Sequence, residues 1–376
     1  MSVGDVASAA SSFLASVSST LSTPQAALTG KILTGVFAGL GATNLLSYVL
    51  PQVVTQTMRS VQELGKKYET EWAVVTGASS GLGEAIAEKL LSQSTNVVLV
   101  ALDNSVLAAT GDRLAREYPQ CEVRVVGVNM ADSDACLEAV VEATKDIQVG
   151  LLFNNAGYVY IESFEHADLG KQLANIHVLL LSSVKLTDHF YKAMIKSGSP
   201  GGICFTSSQA SFFPSPLSTV YSGSKAFLSA YAQALHVEGA PHGIDVLSLQ
   251  PGYMRSNFID DLPDLSIWNS LEKIGQYPHE VADNVFRAMG RITLLDSGTF
   301  SWGSRLITKV IDLNPLVDVV TYFSNQDDEF NSFHGKDAVE EKDRKLVRTA
   351  PTSAPVISGK DLAASGLPPP FVKSKL

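Results

Sequence analysis

Tyr221 and Lys225 stand four residues apart in "STVYSGSKAF", Ser218 to Phe227. On a helix that spacing stacks the two side chains one turn apart on a single face. A free phenol has a pKa near 10, too high to act readily at neutral pH. An ammonium one turn away favours the phenolate and pulls that value down, so the pair can pass a proton. Alone the pair is weak evidence, because a surface Tyr beside a solvated Lys has the same spacing. Ser208 lies thirteen residues earlier, in "ICFTSS". Its hydroxyl can hold a carbonyl oxygen while the phenol gives or takes the proton.

Such a trio needs a scaffold that brings distant residues to one edge. From Glu71 the sequence supplies one. "WAVVTG", "NVVLVAL", "EVRVVGV", "VGLLFNNAG", "GGICFTSS" and "IDVLSLQPG" are short apolar, β-branched runs. Between them lie helical patterns such as "EAIAEKLLSQ" and "SVLAATGDRLAREY", with a long one over about Leu169–Ser197 and another from Tyr221 to about Gly239. Strands buried on both faces and alternating with helices predict an α/β fold, a Rossmann-type doubly wound parallel sheet. Its strand ends and following helix starts share a rim where ligands bind, which puts Ser208 and Tyr221 within reach of one substrate.

The first strand-to-helix turn is "TGASSGLG", Thr76 to Gly83. Gly77 allows the tight turn, Gly81 lets the backbone approach a pyrophosphate, and Gly83 lets the helix pack close to the sheet. The amides of the helix start, with Ser79, Ser80 and Leu82 around them, then face the phosphates. A strand before and a helix after are the context a dinucleotide site requires.

Composition narrows the class. The chain has 376 residues and a net charge of −10, which argues against nucleic acid as a partner. Three cysteines (Cys121, Cys136, Cys204) are too few and scattered for a disulfide framework or a zinc site, and read as reduced core residues. The histidines form no ligand-spaced cluster, so no metal is expected. There is no internal repeat.

The ends differ from the middle. Residues 1–31 form a Ser/Ala-rich segment with Asp5 as the one charge in its first thirty positions. Ile32–Val54 is an uncharged run of 23 residues, long enough to span a bilayer but diluted by Gly35, Gly39, Gly41, Asn44 and Pro51. Three readings fit it: a membrane span, an interfacial or hairpin anchor, or a helix buried on the domain. Residues 55–70 are then a linker, 71–325 the Rossmann domain with a C-terminal extension, and 326–376 a polar, disordered tail. The tail ends in Ser374-Lys375-Leu376, a peroxisomal address for an import receptor. A membrane-associated peroxisomal protein is the favoured reading, with the endoplasmic reticulum membrane as the alternative.

"TGASSGLG", "NNAG" (Asn154–Gly157), Ser208, "YSGSK" and "PGYMRS" (Pro251–Ser256) together resemble the short-chain dehydrogenase/reductase family over about residues 70–290. The resemblance implies a seven-stranded sheet and an oxidoreductase using NAD(P)(H). Ser208 would orient substrate, Tyr221 act as acid/base, and Lys225 also bind the nicotinamide ribose. Asn155, Ala156 and Gly157 would support the adenosine side, and Pro251, Gly252 and Ser256 would touch the nicotinamide amide. Homo-oligomers are a family habit. The stretch from Lys67 to Leu90, behind an apolar N-terminus, is most similar to the membrane-bound branch of 3-ketoacyl-CoA reductases and 17β-hydroxysteroid dehydrogenases.

Three positions depart from the family pattern. Leu179 stands where the family usually has an asparagine that joins the proton relay through water, with Asn175 and His177 nearby but out of register. Ser80 and Leu102 occupy the positions of the basic residues that welcome the 2′-phosphate of NADP, while Asp103 lies one residue late for the ribose-binding acid of NAD forms. Asn129 replaces the adenine-contacting aspartate. The choice between NAD and NADP stays open on these residues.

A lid segment is expected between Ser256 and Pro278, where Ile259, Leu262, Leu265, Ile267 and Trp268 either line an apolar pocket or form a plain amphipathic cover. Leu306–Phe323 is expected to pack on the core as a second apolar element, with membrane contact as the less favoured alternative. The combination points to a ketone–alcohol interconversion on a lipid-like substrate such as a fatty acyl or sterol carbonyl. The rival is a protein of the same fold that binds a dinucleotide with little or no catalysis, motivated by Leu179.

Overall fold

The computed structural model describes residues 12, 24–259 and 262–335. It divides into two compact units, Met1–Pro51 and Gln52–Leu376. Helix α1 (Pro24–Val53), most of which belongs to the first, begins ahead of the uncharged run and includes Pro51. Val36, Phe37, Leu40, Leu46 and Leu50 are exposed along it. Thr34–Met58 is long and apolar enough to cross a membrane by length and composition.

The second unit is built on seven strands: β1 (Trp72–Thr76), β2 (Asn96–Ala101), β3 (Val123–Gly127), β4 (Val149–Asn154), β5 (Gly201–Thr206), β6 (Ile244–Pro251) and β7 (Leu294–Ser297). Their order is β3-β2-β1-β4-β5-β6-β7, and every pairing is parallel. The order reverses between β1 and β4, which opens a crevice at their carboxyl ends.

Strand periodicity divides the core in two. Ala73, Val75, Leu99, Leu151 and Phe153 face one side, with Leu82, Ile86 and Leu90 of α3 (Gly81–Ser92) and Phe286 of α10 (Pro278–Ala288). Val74, Val98, Leu152, Ile203 and Val246 face the other, with Phe190 of α7 (Ser182–Ser197) and Leu228 of α8 (Thr219–Gly239). Both faces are therefore apolar, which is why these strands read as continuous hydrophobic runs.

Helices α4 (Ser105–Glu117) and α5 (Ser133–Thr144) flank β2 and β3. The long stretch expected over Leu169–Ser197 is helical throughout but not uniform. It runs as α6 (Leu169–Ile176), a π-helical turn at His177–Leu181, then α7. A π turn inside a helix commonly marks a functional site.

Three sequence expectations are corrected. Residues 55–70 are not a loose linker: α2 (Leu64–Lys67) buries Leu64 completely, and the next residue, Tyr68, is also buried and donates to Asp245 Oδ2 at 2.8 Å. The Gln62 amide nitrogen donates to Phe286 O at 2.8 Å and Met289 O at 3.0 Å, tying this segment to α10. Beyond β7 and α11 (Thr299–Val310), α12 (Leu313–Ser324) does not pack on the core as expected. Only Leu316 of α12 is buried, while Leu313, Tyr322 and Phe323 are more than half exposed. Nor does order end at Asn325. Asp328–Asn331 forms the short helix α13, and Phe333 behind it is buried. The remainder of the expected tail, with Ser374-Lys375-Leu376, lies outside the described residues.

Candidate active site

Helix α8 carries both Tyr221 and Lys225. The ammonium nitrogen of Lys225 lies 5.4 Å from the centroid of the Tyr221 ring. Lys225 is buried and donates to the backbone oxygen of Thr206, the last residue of β5, at 2.6 Å. Two residues further on, Ser208 caps a 3-10 turn over Gln209–Ser211, its Oγ accepting from Ala210 N at 3.1 Å. That hydroxyl keeps its own proton to donate. The Ser208 side chain lies near enough to the Tyr221 phenol to pull its pKa down. The trio read from the sequence is thus brought together by the end of β5 and the first two turns of α8.

The electrostatics differ from the expectation of a phenol acidified by its neighbour. Burial pushes the Tyr221 phenol up to about 12, with Ser208 pulling weakly the other way. The same burial pulls the Lys225 ammonium down to about 7. Both shifts have one cause, since desolvation penalises whichever form is charged. Tyr221 therefore rests as a neutral proton donor at neutral pH, and Lys225 sits at the balance between charged and neutral.

A buried polar chain fixes this corner. Ser207 Oγ donates to Lys225 O and accepts from Ser229 Oγ, both at 2.7 Å. The Gln250 amide nitrogen, from β6, donates to Ser229 Oγ at 2.8 Å and Ser211 Oγ at 3.3 Å. Arg305 of α11 donates to Gln250 Oε1, pairs with buried Asp296 at 3.1 Å and lies over the Phe212 ring. None of Thr206, Ser207, Gln250 or Arg305 carries a motif that sequence reasoning would single out. Their shared signal is burial of polar groups, visible only in the folded chain.

The glycine turn fits a dinucleotide phosphate. Gly77 has φ +63°, and a Cβ there would stand 2.8 Å from Ala156 Cα. A Cβ on Gly83 would collide with Gly77 O, so α3 starts hard against the strand end. Gly81 has φ +58° and faces Ser256, whose Oγ would be 3.9 Å from an added Cβ. Ser80 occupies the N-cap of α3 without a side-chain cap bond, leaving the amides around Gly81, Leu82 and Gly83 for an anion. Ser79 is held from behind, its carbonyl accepting from Thr110 Oγ1 at 2.9 Å.

The remaining candidates sort into those that brace the cleft and those that face it. Asn155 braces: its Nδ2 donates to Thr76 O at 3.2 Å and its Oδ1 accepts from Thr206 Oγ1 at 3.0 Å, joining β1 to β5. Thr76 Oγ1 accepts from the Asn155 and Ala156 amides, both at 3.0 Å. Gly252 N donates to Ser297 O at 2.8 Å, so Pro251 and Gly252 carry β6 past β7. Asp103 is exposed just beyond β2, packed against Gly127 at the end of β3. Asn129 turns back on its own chain, Oδ1 accepting from Ala131 N at 2.9 Å. Gly157 lies beside both Leu179 and Lys225.

A small pocket beside Tyr221 is lined by Tyr160, Glu162, Gln172, Asn175, Leu217 and Thr219 among others. Asn175, out of register in the sequence, is among its lining residues and donates Nδ2 to Tyr158 O at 2.8 Å. Of the expected lid residues, Ile259 and Leu262 are buried and Leu265 and Trp268 pack against them. Ile267 is half exposed and does not line this pocket, because it falls on the outer face of α9 (Ser266–Glu272). Among the described residues, no group of three or more His, Cys, Asp or Glu is placed to hold a metal ion.

Residues 71–264, just over half of the chain, match the family model for short chain dehydrogenase. The chain belongs to the short-chain dehydrogenase family. Within it, this short-chain dehydrogenase is 32% identical over 189 residues to a very-long-chain 3-oxoacyl-CoA reductase of Anas platyrhynchos, covering 49% of this chain and 60% of that one. It is 30% identical over 216 residues to hydroxysteroid dehydrogenase-like protein 1 of Gallus gallus, covering 56% and 62%. The matched part thus spans about three fifths of these relatives' own length. Among solved structures, a 7beta-hydroxysteroid dehydrogenase shares the fold at 24% identity and TM-score 0.60, covering 66% of this chain and 95% of that one. L-Sorbose reductase from Gluconobacter frateurii, complexed with NADPH and L-sorbose, matches at 25% identity and TM-score 0.55, covering 62% and 97%.

Proposed function

We propose that this short-chain dehydrogenase interconverts a ketone and a secondary alcohol on a lipid-like substrate, with NAD(P)(H) as cofactor. The observation that carries the reading is the gathering of Ser208, Tyr221 and Lys225 at one site, in a domain whose glycine turn leaves its helix-start amides for phosphate.

The amides around Gly81, Leu82 and Gly83 would hold the pyrophosphate, with Asp103 and Asn129 on the adenosine side and Lys225, Pro251, Gly252 and Ser256 on the nicotinamide side. A bound nicotinamide would supply or take up the hydride at the substrate carbon. Ser208 donates to the carbonyl oxygen and fixes its position. Tyr221, neutral at rest, passes its proton to that oxygen in reduction and takes one back in oxidation. A charged Lys225 stabilises the phenolate that reduction leaves behind. The relatives named very-long-chain 3-oxoacyl-CoA reductase favour a fatty acyl carbonyl.

A second reading has its own observation. A Cβ on Gly157 would stand 2.6 Å from Leu179 Cδ2 and 3.5 Å from Lys225 Nζ, so an apolar side chain comes up to the lysine's end of the site. That favours a protein that binds a dinucleotide and turns over slowly or not at all. Calorimetric titration with NADH and NADPH, followed by assay of ketones of graded chain length, separates the readings. Binding with turnover supports the first, and binding without turnover the second.

The domain plan is part of the proposal: a catalytic domain that extends the expected 71–325 to take in 55–70 and the segment through Phe333, and Ile32–Val54 as its membrane anchor. Length and apolar composition support the anchor. The terminal Ser374-Lys375-Leu376 supports delivery to peroxisomes, the endoplasmic reticulum membrane being the alternative. Imaging the chain with and without its last three residues checks the address.

A further inference from the structure

Phe333 comes from the polar segment beyond α12, yet it is 1% exposed. It fills a chamber walled by Ile161, Ile259 and Leu262, with Leu217, Tyr253 and Trp268 packed at the margin. This chamber is separate from the two cores that flank the sheet. It adjoins the acid/base pocket through Leu217, which lines both. Leu217 is held at φ +63°, a costly backbone for a branched residue, and its carbonyl accepts from Glu162 N at 2.8 Å.

The segment carrying Phe333 is fastened from outside by exposed polar contacts. Glu329 accepts from Ser266 N and from Ser266 Oγ, both at 2.9 Å, which ties it to α9. Gly335 N donates to Glu165 Oε1 at 2.8 Å, and Gly335 O lies 3.0 Å from His166 Nε2. Exposed contacts of this kind hold weakly, so burial of the ring is the main force keeping the segment down. An apolar ligand of comparable bulk can replace that burial in kind.

We propose that the chamber under Phe333 is the binding site for the substrate's apolar chain, and that residues 328–335 form a strap that must release Phe333 before the chain enters. The proposal rests on the reading of Tyr221 as the acid/base for a lipid-like ketone. Affinity for a long chain is then reduced by the fraction of molecules with the strap closed, whereas a short ketone that reaches Tyr221 without the chamber is unaffected.

The test uses the full chain and Phe333→Ala. The KM for a long-alkyl ketone should fall about tenfold, while that for a short, water-soluble ketone stays within about twofold. cis-Parinaric acid, an apolar fluorescent chain without a reacting ketone, should bind the variant about tenfold tighter. Equal KM changes for both ketones, or probe binding unchanged or weaker, overturn the proposal. Glu329→Ala loosens the strap from its exposed side without touching the chamber, and should move both readouts the same way by about two- to threefold. If Phe333→Ala does not fold, unchanged probe binding by Glu329→Ala overturns the proposal on its own. Tighter probe binding without ketone turnover upholds the chamber and removes the ketone reading. Turnover with unaltered chain-length dependence does the reverse.

Discussion

Leu179 and Lys225 both approach Gly157, where an added Cβ would stand 2.6 Å from Leu179 Cδ2 and 3.5 Å from Lys225 Nζ. Leu179, fully buried, puts hydrocarbon where the family resemblance implies a polar relay, and Lys225 is buried as well. Leu179→Asn should raise turnover about tenfold by wetting the lysine's end of the site, at about 1–3 kcal/mol of stability for a buried polar group. Paired measurements of kcat and urea unfolding check it. A lower kcat in a folded variant would show that the leucine is no obstacle.

The Lys225 shift sets a pH dependence. Its pKa falls from the ordinary lysine range to about 7, so the side chain is charged below that pH and neutral above it. The charged form is the one that stabilises the phenolate left by reduction. Reductive kcat should therefore be highest below pH 7 and decline as pH rises through it. Lys225→Met should flatten that limb. A wild-type profile level from pH 6 to 9 contradicts the assignment.

Segment 55–70 is built into the domain through Tyr68, whose phenol is buried against Asp245 and strongly resists ionisation. Tyr68→Phe removes a hydrogen bond to a charged acceptor and should cost about 1.5–3 kcal/mol in chemical denaturation. Nucleotide affinity should not change, since the contact lies away from the glycine turn. A loss below about 0.5 kcal/mol would return the segment to the status of a linker.

Asp103 bears on cofactor choice. Exposed beyond β2, with neither Ser80 nor Leu102 basic, its carboxylate would repel a 2′-phosphate placed beside it. NAD(H) should bind more tightly than NADP(H), and Asp103→Ala should narrow the gap about tenfold. Calorimetry with both nucleotides reads this directly. An unchanged ratio in the variant would place the discrimination elsewhere.

Much of the second unit was legible because its strands are buried on both faces and its helices are amphipathic, so period and length announce each element. The order of Ser208, Tyr221 and Lys225 along one rim followed from the parallel sheet. Burial was not legible. Spacing places Lys225 beside Tyr221 but says nothing of desolvation, which pushes the phenol up rather than down. Phe333 escaped notice because one aromatic in a polar run has no periodicity, and its partners at Ile161, Ile259 and Leu262 are distant in sequence. The apolar look of α12 misled for the opposite reason: composition reports what could be buried, whereas Leu313, Tyr322 and Phe323 remain exposed.

The central claim is that the Tyr221 hydroxyl delivers the proton. Single-turnover reduction of a ketone by Tyr221→Phe, alongside calorimetric nucleotide binding, tests it most directly. A loss of at least about a thousandfold in the chemical step, with nucleotide affinity intact, is the predicted result. Turnover within about tenfold of wild type in the phenylalanine variant would contradict it.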